Sequence, residues 1–154
     1  MVIFALSACS PSPGEIRTDL EEYLAHSTTW ATDEAEAART IERILRTEFV
    51  DEGEVRRQIG DNRPRVVAHL GVVQAYRPRT NAIAEIHARY VQAWRDLLAA
   101  YDAIEAGFAT GDYAKLAQGR EGMARWRDGL VEVAGKLREM RQRFAPDASG
   151  ATES

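Results

Sequence analysis

The stretch from Ile83 to Phe108, IAEIHARYVQAWRDLLAAYDAIEAGF, decides the fold class. Ile83, His87, Tyr90, Trp94, Leu97, Tyr101, Ile104 and Phe108 recur at alternating four- and three-residue steps, which places all eight on one stripe of an α-helix. A strand would need alternation every second residue. No extended alternation of that kind and no Asn-Gly hairpin turn occurs in the chain. A helix with so many large side chains on one stripe buries it against other helices, and an all-α protein is expected.

Working outward, Gly111-Asp112 breaks the helix and caps the next one. Leu116, Gly119, Met123, Trp126, Leu130, Val133, Leu137, Met140 and Phe144 then continue the same period as far as Pro146. Gly119, Gly122, Gly129 and Gly135 lie in this segment, each costing about 1 kcal/mol against alanine inside a helix. That cost points to close approach of a neighbouring helix or to room for an aromatic ring.

Upstream, Arg77-Pro78-Arg79-Thr80 reads as a turn with Thr80 as the cap. Before it, Val55, Ile59, Val66, His69, Val73 and Tyr76 form a seam interrupted at Gly60 to Pro64, because proline lacks the N–H that continues a helical ladder. A short helix, a kink or restart, and a longer helix are expected there. Ser12-Pro13-Gly14-Glu15 carries an N-cap, a proline at the first helical position and a capping-box glutamate. The first helix then shows Ile16, Leu20, Leu24, Ser27, Ala31, Ala35, Ala38, Ile41, Leu45 and Phe49 as its seam, with a break at Thr32-Asp33 as an option and a turn at Val50 to Gly53.

Short turns between long amphipathic helices favour antiparallel neighbours. The expected architecture is therefore an up-down-up-down four-helix bundle with an interrupted second helix, spanning residues 15–145. Its core is expected to include Leu20, Ile41, Leu45, Val66, Val73, Tyr90, Trp94, Leu97, Met123, Trp126, Leu130 and Leu137. An open helical hairpin that forms a homodimer through an exposed seam is the alternative. Residues 146–154 are small and polar and are expected as a disordered tail.

Composition narrows the function classes. With 45% hydrophobic and 29% charged residues in 154, the chain matches neither a disordered segment nor a polytopic membrane protein. A net charge of −4 argues against a general nucleic-acid binder. Residues 14–54 hold 12 acidic and 4 basic side chains, net −8, and the remainder 12 and 16, net +4. An acidic first helix against more basic neighbours accounts for that asymmetry; an anionic partner near Arg56, Arg57, Arg63, Arg65, Arg77 and Arg79 is the sharper option.

The single cysteine excludes an internal disulfide and a cysteine-rich zinc site, and its position is informative. The apolar run Val2 to Leu6 passes through Ser7 and Ala8 into Cys9, after which comes the helix-hostile Ser10-Pro11-Ser12-Pro13-Gly14. An apolar run ending in small residues is the pattern of a secretory signal, and this one is far shorter than the ~20 residues a bilayer span takes. Leu6-Ser7-Ala8-Cys9 resembles the lipobox of bacterial lipoproteins. The resemblance implies that residues 1–8 are the remnant of a signal cut before Cys9, that Cys9 carries the lipid, and that residues 9–14 form the linker to the bundle. Ser10 after the cysteine resembles sequences sorted to the outer membrane, which implies a lipid-anchored protein of the cell envelope facing the periplasm. No Lys or Arg precedes the apolar run, so Met1 is expected to lie inside a longer signal.

Chemistry-bearing motifs are scarce. The sequence holds no Cys-x-x-Cys-His, no Glu-x-x-His pair, no His-Glu-x-x-His and no phosphate-cradling glycine loop, and no local context poses a nucleophile. An enzyme is not expected, nor is a cofactor. Trp30, Trp94, Trp126 and Tyr90 are the candidate lining of an apolar pocket, in which a buried indole N–H would take a histidine or carboxylate as partner. In an up-down order His26, His69 and His87, with Met140, fall near one level, a candidate transition-metal set whose alternative is hydrogen bonding to neighbouring groups. The leading expectation is a non-enzymatic envelope lipoprotein whose bundle binds a protein partner in a scaffold, pilot or assembly role. The alternative is binding of a metal ion, haem or small apolar ligand in the bundle interior.

Overall fold

The computed structural model describes residues 11–145. Four helices occupy 88% of that span and leave only short turns: α1 Pro13–Arg46, α2 Glu52–Ala75, α3 Asn81–Thr110 and α4 Tyr113–Arg143. Successive helices run antiparallel, as their facing residues show. Thr40 meets Asn62 and Asp33 meets His69 between α1 and α2; Asn62 meets Tyr101 and His69 meets Tyr90 between α2 and α3. Between α3 and α4, Ala93, Ala100 and Gly107 lie opposite Gly129, Gly122 and Leu116. The protein is an all-α four-helix bundle. The proposed signal remnant, Cys9 and the tail at 146–154 lie outside the described residues.

Local chemistry sets the helix ends. Ser12 caps α1 in a full capping box with Glu15, and Pro13 fills the first turn. Asp51, Thr80 and Asp112 each accept a backbone N–H at the start of the following helix. Gly111 closes α3 at φ 66°, the left-handed conformation that glycine adopts without a Cβ penalty. The first turn comes earlier than expected, beginning at Thr47. There Glu48 and Phe49 both take positive φ, and the Phe49 ring packs edge-on to Phe108 at 6.3 Å.

Two expectations about the helices are corrected. The second helix is not interrupted: α2 runs through Pro64 without a break. Pro64 removes one ladder bond, but its ring is exposed, and the residue four back, whose carbonyl it crowds, is the permissive Gly60. Val55, Ile59, Asn62, Val66, His69 and Val73 form one buried seam on both sides of it, with Asn62 filling the step left blank in the apolar pattern. Likewise α1 does not break at Thr32-Asp33. Its buried seam is Leu20, Tyr23, Trp30, Ala37, Ile41 and Ile44, with Ser27 and Glu34 half-buried between them. Ala31, Ala35 and Ala38 are exposed. The large indole of Trp30 sets the register, and the alanines follow on a neighbouring stripe.

Of the expected core, all are buried except Leu45, Leu130 and Leu137, which are partly buried against it. α3 is the central helix, with two buried stripes. One is the heptad seam from Ile83 to Ile104; the other is Ile86, Ala93, Ala100 and Gly107. The second stripe explains the glycines of α4. A Cβ on Gly119 would sit 2.3 Å from Ile104 Cγ1 and 3.0 Å from the Ala100 carbonyl oxygen. One on Gly122 would meet Ala100 Cβ at 2.7 Å, and one on Gly129 would meet Ala93 Cβ at 3.0 Å. Close helix approach is thus the reason for three of the four glycines; nothing lies within 4 Å of the position a Gly135 Cβ would take.

Candidate functional site

α1 is tied to α2 and α3 by three polar layers. At one end the buried Asp19 carboxylate accepts the backbone N–H groups of Arg79 and Thr80 and the Thr80 hydroxyl, at 2.7 to 3.1 Å. A buried carboxylate is tolerated where several donors surround it. Toward the other end the Tyr101 hydroxyl donates to Asn62 Oδ1 at 2.8 Å, and the Asn62 amide reaches Thr40 Oγ1 at 3.4 Å.

The middle layer is the densest. Tyr23, Trp30, Tyr76, His87, Tyr90 and Trp94 pack ring against ring, with Trp30 stacked on Tyr90 at 5.4 Å and Trp94 edge-on to Trp126 at 5.6 Å. Through this cluster runs a chain of polar groups. His69 Nδ1 lies 2.9 Å from Asp33 Oδ2, His69 Nε2 lies 3.1 Å from the Tyr90 hydroxyl, and that hydroxyl donates to Glu34 Oε1 at 2.5 Å. Burial, reinforced by the Glu34 charge, pushes the Tyr90 hydroxyl far above its ordinary range and keeps it protonated. One turn away the Tyr23 hydroxyl hydrogen-bonds His87 Nδ1 at 3.3 Å. Burial holds His87 below the usual imidazole range, with a backbone hydrogen bond at Val73 opposing the shift.

The proposed metal set is not assembled. His26 is exposed and packs against Tyr76 at 4.7 Å, while His69 and His87 are buried with the separate partners just described. Met140 is only partly buried against the core. No group of three or more His, Cys, Asp or Glu side chains suited to a metal ion occurs among the described residues. The expected pocket lining is likewise redistributed. Trp30, Tyr90 and Trp126 reach open hollows between α1 and α4, whereas Trp94 is buried behind them against Tyr90 and Trp126. Among the described residues the Trp94 and Trp126 indole N–H groups have no hydrogen-bond partner, and His69, packed against Trp94, has both ring nitrogens on Asp33 and Tyr90. In the suspected anion-binding region Arg56, Arg57, Arg63 and Arg79 are each paired with a carboxylate, and Arg77 bonds backbone carbonyls.

A hollow of about 410 Å³ between α1 and α2 is lined by polar and charged side chains, and the apolar opening is the seam between α1 and α4. Three adjoining hollows of about 640, 380 and 390 Å³ follow it from Leu20 and Phe144 at one end to Ala38 and Trp126 at the other. Its walls are apolar, chiefly the exposed alanines of α1 and Leu130, Val131 and Ala134 of α4, with Trp30 and Tyr90 beneath. Val131 is 67% exposed. Among the described residues no hydrogen bond or ion pair joins α1 to α4. Glu34, at the end of the polar chain, lines the groove. Compared with known proteins, the chain matches no family model, no curated sequence and no solved structure.

Glu34 and Asn62 escaped the sequence reading, although a signal was there. Leu20, Ser27, Glu34 and Ile41 are spaced by sevens, so Glu34 occupies a seam position where a carboxylate needs a partner. Asp19 carried no such mark, because its partners are backbone groups of a distant turn.

Proposed function

We propose that the protein is a non-enzymatic lipoprotein of the bacterial cell envelope, anchored through a lipid on Cys9, whose α1/α4 groove receives a helical segment of another envelope protein. In this reading it is a scaffold, pilot or assembly factor at the outer membrane facing the periplasm. The observation that carries the partner-binding part is the open apolar groove: amphipathic helices dock in grooves of this kind through apolar residues spaced by three and four. A contiguous exposed apolar strip is the usual mark of an interaction surface. The aromatic interior, packed ring on ring, favours a protein on the outside over a small ligand within.

The anchoring part rests on the resemblance of Leu6-Ser7-Ala8-Cys9 to a lipobox. No helix among the described residues is long and apolar enough to cross a membrane, so attachment in this reading depends on the lipid. Metabolic labelling with a palmitate analogue tests it: the wild type takes the label and stays with membranes, and Cys9→Ser loses both. Equal labelling of the two would overturn the lipoprotein reading.

A further inference from the structure

The charges of α4 are sorted by side. The helix holds eight basic and four acidic residues. Arg127, Val131, Ala134, Arg138 and Arg141 step by four and three, so they share one stripe, and all but Arg138 line the hollows of the α1/α4 groove. Glu121, Asp128, Glu132 and Glu139 step by seven and four on a second stripe, roughly a third of the way round the helix. There Glu132 pairs with Lys136 and approaches Arg89 of α3, and Glu121 approaches Arg125. The groove stripe carries no acidic residue. Its arginines are exposed; among the described residues Arg138 and Arg141 make no ion pair, and Arg127 meets only Asp128, at 3.5 Å in solvent.

The opposite wall is different. Along α1 it consists of Leu24, Thr28, Ala31, Ala35 and Ala38, a stripe without charge. Arg17, with Glu21 one turn on, adds a further cation where the groove meets Phe144. Glu34, on the floor, accepts from the Tyr90 hydroxyl. The other carboxylates in the middle of α1 point elsewhere, Asp33 to His69 and Glu36 into the α1/α2 hollow. The channel is therefore apolar, between one neutral wall and one wall of guanidinium groups.

We infer that the occupant of the groove is an amphipathic helix with carboxylates along one flank only, docked with that flank on Arg127, Arg138 and Arg141. This deepens the reading of the groove as a docking site and rests on it. Arg127 and Arg141 are separated by about 21 Å of helix, so a partner segment of about four turns reaches both. Each guanidinium takes a carboxylate through paired N–H donors. A basic flank would set like charges face to face, so the arginines select the partner more than they hold it. An anionic bilayer offers the same charge, but a flat surface would leave the recessed Trp30 and Tyr90 uncovered, whereas a helix fills the channel above them.

Two synthetic helical peptides of about four turns test the inference. Both carry leucines at three- and four-residue steps, one with glutamates and the other with lysines along a single flank. They are titrated by fluorescence anisotropy with the full chain bearing Cys9→Ser, which carries no lipid. The glutamate peptide should bind at least about tenfold more tightly at low salt, and the preference should shrink as salt is raised. Arg138→Glu with Arg141→Glu should reverse the preference. Arg125→Glu with Arg143→Glu makes the same change in net charge on the far side of α4 and should leave it intact. Ala35→Arg, which fills the channel from the neutral wall, should weaken both peptides. Equal affinity for the two peptides, weakened by Ala35→Arg, would overturn the acidic partner and leave the docking groove standing; failure of both to bind would overturn the groove as well. A preference that shifts alike with the two double variants, and so follows net charge alone, would contradict the inference. So would binding of phosphatidylglycerol vesicles that is lost with Arg138→Glu and Arg141→Glu while neither peptide competes.

Discussion

α4 has two neighbours, α3 and α1, and it closes on one while standing off the other. Both interfaces are rich in small residues, so composition alone does not separate them. Against α3, small faces small: Ala93 meets Gly129 and Ala100 meets Gly122, and the backbones come as near as a missing Cβ allows. Against α1 the alanines at 31, 35 and 38 remain exposed. The difference lies in what holds each helix. α1 is drawn toward α2 and α3 by its large seam residues and by three polar layers, whereas α4 is fixed by its packing on α3. Among the described residues no polar tie connects α1 to α4, and a groove is left. Small residues permit close packing, and the pull of the large residues beside them decides whether it happens.

Substitutions graded by size test this contrast. The largest effect is expected at Leu97, fully buried on α3: Leu97→Ala should cost ~2–5 kcal/mol in chemical unfolding, through lost burial and a residual cavity. A cost near 0.5 kcal/mol would place Leu97 on the wrong face. Gly119→Ala should come next. Its methyl meets Ile104 and the backbone carbonyl of Ala100, and overpacking of ~1–3 kcal/mol should outweigh the gain in helix propensity. Gly135→Ala, in the same helix with open space around it, should instead stabilise the protein by ~0.5–1 kcal/mol. If both glycine variants shift stability in the same direction, close approach is not what sets the glycines of α4. The smallest effect is expected in the groove, where Ala35→Leu should change unfolding by no more than ~0.5 kcal/mol because the added side chain meets solvent.

How much of this was legible in the sequence depends on the kind of side chain that carried it. The α3 seam was plain because eight large residues kept a strict heptad, and the caps at Ser12, Thr80 and Asp112 were plain because their chemistry is local. The α1 register was not, because Ala31, Ala35 and Ala38 fit a stripe as well as Trp30 does when only spacing is counted, although they bury far less surface. Pro64 looked like a break because the proline rule is local, while the seam that carries α2 through it is tertiary. The polar chain was half visible: His69 and His87 stood on apolar seams, but Asp33 and Glu34 read as two more charges on an acidic helix. Their roles depend on which helix lies opposite, and spacing within one helix does not contain that information.

The account turns on the α1/α4 groove being the surface that meets another protein. The direct measurement is recovery from native membranes of whatever binds the lipidated full-length protein, compared for the wild type and for Ala35→Arg and Val131→Arg. Both positions are exposed, so both variants should melt within about 2 °C of the wild type. The account predicts a protein that co-purifies in stoichiometric amount with the wild type and is lost with either arginine. Undiminished recovery with both groove variants would contradict it.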